Sequence, residues 1–153
     1  MVYGAGNVGL MGALADAVIA RGRRAVGIIP RRLSDLGLSH DGLHETVVAE
    51  TMRERKAIMI DRGDAFVAMP GGIGTLEELS ELMTLNQLGY IAKPLGLLDS
   101  GGFWQPFMAF MRHVVDEGFL KREQLDQLVV DEDPGRLLDR LASARTAYIP
   151  KWN

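Results

Sequence analysis

The sequence predicts an α/β protein whose mostly parallel sheet is doubly wound, and three observations lead there. Short apolar runs alternate with longer helical patterns along the whole chain. Glycines cluster directly after several of those runs, which suits tight strand-to-helix turns better than a flexible linker. The apolar runs are too short and too uniformly apolar to alternate in and out, as expected of strands covered on both faces. Together these describe a Rossmann-like domain.

The predicted elements follow in order. Residues 1–4 read as the end of a strand, followed by Gly6, Gly9 and Gly12 and a helix to about Arg21. A second strand over 25–29 is closed by Pro30. A polar connection over 31–44 leads to a third strand at 46–49, and 50–62 is helical. The strand at 64–69 ends on Pro70, and the strongest helix covers 75–88, with Gly89 as its C-terminal stop. A strand at 95–98, a helix at 103–116, a short strand at 128–130 and a helix at 134–144 complete the pattern, with Pro134 in a favoured first-turn position. No repeat, low-complexity tract or linker interrupts it, and 153 residues suit a single domain spanning 1–153.

Composition narrows the function classes. A formal charge of -3 lacks the basic stripe of a nucleic-acid binder. Cysteine is absent, which removes disulfides, thiolate metal sites and a cysteine nucleophile. No apolar stretch approaches the roughly 20 residues that span a bilayer, so a membrane partner is not expected and a cytoplasmic location is. His40 and His44 flank Gly42 in a connection not read as helical, so no metal site is expected there. His113, Phe107, Met108 and Met111 read as surface, core or subunit contact.

Three segments could carry chemistry. In Pro70-Gly71-Gly72-Ile73-Gly74-Thr75-Leu76-Glu77-Glu78 an apolar strand runs through glycines straight into a helix. Ligands of open α/β sheets bind at that junction, where free N–H groups and the helix dipole attract phosphate. No lysine follows Gly74, so this is not a P-loop. Thr75 to Glu78 equally fits a capping box, and that structural reading stays open. In Met52-Arg53-Glu54-Arg55-Lys56, helical spacing puts Met52, Arg55, Lys56 and Met59 on one stripe. That stripe reads either as an anion clamp led by the planar guanidinium of Arg55, or as long side chains snorkelling past apolar neighbours. Finally, Gly4-x-Gly6-x-x-Gly9 has the dinucleotide-loop spacing, but Pro30-Arg31-Arg32 after the next strand supplies no ribose-binding acid.

The E-R-K helix and the P-G-G-x-G-T-x-x-E turn at this separation resemble the Lonely Guy family, cytokinin riboside 5′-monophosphate phosphoribohydrolases long mislabelled as lysine decarboxylases. Gly9-Leu10-Met11-Gly12, Gln87-Leu88-Gly89-Tyr90 and Lys93-Pro94-Leu95-Gly96 match as well, so the resemblance covers nearly the whole chain. It implies hydrolysis of the N-glycosidic bond of AMP or an N6-substituted adenosine monophosphate, with no cofactor. It places catalysis on Arg55 and Glu78. Met52, Lys56, Glu77, Gly6, Gly71, Gly72, Gly74 and Thr75 would contact substrate. It also implies a homodimer or higher homo-oligomer, and a chain that starts at the family's second strand, lacking the first strand and helix. Gly37 stands where relatives often carry an acid. Two other activities compete: a non-catalytic nucleotide or molybdenum-cofactor carrier, and a pyridoxal-phosphate lysine decarboxylase. The pairing of Arg55 with Glu78 favours the hydrolase over the carrier, and Lys56 beside Arg55 looks like an anion contact instead of a Schiff-base lysine.

Overall fold

The computed structural model describes residues 1–150, and its strands form two three-stranded parallel sheets in two compact units. The first unit, Met1–Gly63, contains β1 (Val2–Tyr3), α1 (Gly9–Ala20), β2 (Val26–Pro30), α2 (Arg31–Asp35), β3 (Glu45–Ala49) and α3 (Met52–Arg62). Its sheet order is β1-β2-β3, with Val2 opposite Val26 and Val26 opposite Glu45. β2 is buried along its whole length, which is why an unbroken apolar run marks it in the sequence. Burying Ile28 and Ile29 there contributes on the order of 1.5–3 kcal/mol each. β3 alternates instead, leaving Val48 exposed.

The second unit contains β4 (Phe66–Ala68), α4 (Ile73–Gln87), β5 (Leu95–Leu98), a 3-10 turn at Ser100–Gly102, α5 (Gln105–Asp116), α6 (Arg122–Leu125), β6 (Leu128–Asp131) and α7 (Pro134–Ser143). Its sheet order is β4-β5-β6, also parallel. Leu79 of α4, Leu95 and Leu97 of β5 and Trp104 form its core. Phe103 and Phe107 meet the Trp104 ring edge-on, at centroid distances of 5.2 and 5.6 Å. Gly96 lets α7 close on the sheet, since a Cβ there would stand 2.9 Å from Leu137 Cδ1. Asp99 is buried just beyond β5, where the Trp104 amide donates to it at 2.7 Å and the Gln105 side chain donates to its other oxygen.

Every predicted strand and long helix is present, and the departures are local. The 31–44 connection contains α2, a single turn too short to show a helical period. α6 is likewise a four-residue turn, held by the Gln124 side chain reaching back to Lys121. The helix expected from Phe103 begins at Gln105, because left-handed Gly101 and Gly102 turn the chain first. Gly89, at φ 75°, stops α4 as expected. No helix among the described residues is long and apolar enough to cross a membrane.

Candidate functional site

In the first unit, Thr51 caps α3 by accepting from the Glu54 amide at 3.1 Å, while the Glu54 carboxylate accepts from the Glu50 amide at 2.8 Å. This fixed first turn sets the direction of Arg55. The half-buried Arg55 Nε donates to the Ile28 carbonyl of β2 at 3.2 Å, and Nη1 lies 3.2 Å from Met52 Sδ. Its guanidinium rests on Gly4 at the C-terminal end of β1, where a Cβ would come within 2.0 Å of Nη2. The glycine is thus a seat for the cation, a role that the dinucleotide-loop spacing did not reveal. Met52 is exposed and Lys56 half-buried on the same stripe. Gly6 packs under Met11, whose Cε would lie 2.5 Å from an added Cβ.

In the second unit, α4 starts at Ile73, and its cap is Gly72, which has no side chain to bond the first turn. The capping-box reading of Thr75 and Glu78 is therefore corrected: Thr75 is the third helical residue, too far inside to cap. Its hydroxyl instead packs on Gly71, where a Cβ would fall 2.2 Å from Oγ1. A threonine cap does form earlier in the chain, at Thr51, whose hydroxyl accepts from the Glu54 amide across another T-x-x-E spacing. With Ile73 as the first helical residue, Gly74, Thr75 and the half-buried Glu78 share one helix face, and Glu77 turns to solvent.

Gly72 and Gly74 differ from the other glycines of the region. A Cβ at either would meet nothing within 4 Å, and neither has positive φ. Glycine inside a helix costs about 0.5–1 kcal/mol relative to alanine. Neither packing nor backbone conformation calls for that cost at Gly74.

The histidines are engaged singly. His40 bonds Asp16 and the Gly42 amide, and His44 Nδ1 accepts from the Ala25 amide at 3.3 Å. His113 is exposed, 4.0 Å from Glu117. Phe107 and Met108 pack on the second core, while Met111 lines a cavity of about 290 Å³ beneath α5. Of the lysines, Lys121 donates to the Pro150 carbonyl at 2.6 Å and Lys93 stands 6.0 Å above the Phe66 ring.

Residues 11–141 match the family model described as "Possible lysine decarboxylase". Relatives carry a different activity in their names. A cytokinin riboside 5′-monophosphate phosphoribohydrolase of Arabidopsis thaliana is 41% identical over 151 residues, covering 99% of this chain and 69% of its own. The chain belongs to the Lonely Guy family. A family member from Oryza sativa subsp. japonica, named for the same activity, is 40% identical over 99% of this chain and 61% of its own. Another, from Rhodococcoides fascians, is 40% identical over 87% of this chain and 68% of its own. The chain therefore spans about two thirds of the length of these family members.

Proposed function

We propose that this chain hydrolyses the N-glycosidic bond of a nucleoside 5′-monophosphate, cytokinin riboside 5′-monophosphate or AMP, releasing free base and ribose 5-phosphate. The glycine-capped N-terminus of α4, with Gly74 in its first turn where neither packing nor backbone conformation calls for glycine, carries the proposal. The activity for which the family members are named supports the same reaction.

The 5′-phosphate is assigned to the N–H groups of Gly72, Gly74 and Thr75, with Gly71 shaping the turn and Glu77 beside them; Gly6 is assigned a separate substrate contact. Departure of the base builds positive charge on the ribose, which a carboxylate stabilises. Glu78 takes that role and orients the attacking water. The water oxygen bonds the anomeric carbon as the bond to the base nitrogen breaks, and one water proton ends on the departing nucleobase, which leaves neutral. Arg55 holds ribose or phosphate, with Lys56 and Met52 beside it. The enzyme is further proposed to act in the cytoplasm as at least a dimer.

Purified protein incubated with AMP and with isopentenyladenosine monophosphate should release adenine and isopentenyladenine, followed by chromatography. Nucleotide binding without base release by both substrates supports a carrier and sinks the hydrolase. A pyridoxal-type absorbance in the purified protein, with lysine turnover, revives the decarboxylase.

A further inference from the structure

The first unit holds a second set of polar contacts, centred on His40, where the sequence led to no expected metal site. The β1–α1 loop, residues 4–8, has few bonds of its own. Ala5 is buried in the left-handed region at φ 61°, a conformation that costs a non-glycine residue energy unless its surroundings impose it. Those surroundings come from the segment between α2 and β3. The His40 amide donates to the Ala5 carbonyl at 2.9 Å, the Asn7 amide donates to the Leu38 carbonyl at 3.2 Å, and Gly6 bridges Ser39. The Asn7 side chain adds a bond to the Gly37 carbonyl at 3.3 Å. Tyr3 donates its phenol to the Gly6 carbonyl at 3.3 Å, and burial followed by the charge of Asp16 pushes that phenol up, keeping it a donor.

The His40 ring ties this clamp to the helix. Nδ1 accepts from the Gly42 amide at 3.0 Å, so the ring proton sits on Nε2, which donates to Asp16 of α1 at 3.0 Å. The ring is largely buried, whereas Asp16 is exposed, with side-chain exposures of 13% and 75%. One imidazole therefore fixes both the turn that follows it and the distance from that turn to α1. The same loop begins at Gly4, the seat of the Arg55 guanidinium.

We propose that His40, oriented by Asp16, is a positioning residue that holds the 4–8 loop so that Gly4 seats the Arg55 guanidinium. The inference rests on the hydrolase reading for its kinetic consequence only. The coupling of His40 to Arg55 is a structural relation that can be observed without turnover.

Two readouts test it. In His40→Leu, and separately in Asp16→Leu, kcat for AMP should fall roughly ten- to a hundredfold, the size of effect that a displacement near 1 Å produces, while KM stays within about twofold. Asp16→Asn keeps an acceptor for Nε2–H and should recover most of kcat; His40→Asn keeps only the acceptor for Gly42 and should recover little. The second readout is the Nε–H resonance of Arg55 in nitrogen-15 spectra, held in the wild type by the Ile28 carbonyl. It should shift or broaden in the two leucine variants and stay in place in Asp16→Asn. A lower thermal midpoint with unchanged kcat and an unchanged Arg55 resonance would reduce the pair to a structural brace and overturn the proposal. Asp16→Leu lies at an exposed site and keeps the test open if His40→Leu does not fold. Absence of wild-type turnover defeats the hydrolase reading alone; an unmoved Arg55 resonance in folded variants then defeats this one.

Discussion

Two glycines make different stability predictions at the scale of single residues. At Gly4, alanine would drive a Cβ into the Arg55 guanidinium, the far end of a flexible side chain. The chain should fold with a thermal midpoint close to that of the wild type, while base release falls by roughly tenfold or more as the cation leaves its seat. At Gly74 the space is open, so alanine should stabilise the helix by about 0.5–1 kcal/mol in a denaturant melt. The same substitution should weaken AMP binding in a calorimetric titration, because the backbone is no longer bare. A Gly74→Ala protein that is both more stable and equally tight for nucleotide would remove the main support for the phosphate assignment. Glu78→Gln should cut kcat by roughly a hundredfold or more with a smaller change in KM, since a neutral amide cannot stabilise a developing ribosyl cation. Turnover that survives that change would take the residue out of the mechanism.

At the scale of elements, the two T-x-x-E segments look alike in sequence and do different work. Thr51 caps α3, so Thr51→Ala should cost about 1 kcal/mol in a denaturant melt. Thr75 lies inside α4 and caps nothing, so Thr75→Ala should cost clearly less than Thr51→Ala. Equal losses would contradict the helix start at Ile73. Only the backbone path distinguishes the pair: Thr51 is itself the extended residue before its helix, whereas in α4 that place belongs to Gly72 and the chain is already helical from Ile73 when it reaches Thr75. The missed turns α2 and α6 have a related origin. Five and four residues are too few to display a 3.6-residue period, and their stability comes from neighbouring residues.

At the scale of the whole molecule, stability should depend on acid pH through Asp131 at the end of β6. Arg136, the Asp133 amide and Arg140 hold its carboxyl down at about 2. A folded-state value below the unfolded one of about 3.9 means that the stabilisation is complete above that unfolded value and is lost as pH falls toward 2. Thermal melts of wild type and Asp131→Asn should therefore differ at pH 7 and converge between about pH 4 and pH 2. Glu45, held down by Arg62 and Arg24, and Glu50, held down by Arg31, act in the same direction. Leu97→Ala, in the packed core of the second unit, should cost about 2–5 kcal/mol at any of these pH values.

The sequence by itself determined the α/β class, the six strands, the long helices and the family, because apolar runs, glycine stops and contiguous motifs are local properties of a chain. It also put Arg55 and Glu78 on helices directly after strands, where ligands of such folds bind. The tertiary structure alone decided which glycines make room for side chains and which stand open. Gly4 and Gly71 are filled by Arg55 and Thr75, whereas Gly72 and Gly74 face nothing. It also decided that His40 bonds Asp16 of α1, a partner 24 residues away. The reason is physical: a period or a cap is written between neighbours within about one helical turn, while the occupant of the space beside a glycine comes from wherever the fold brings the chain back.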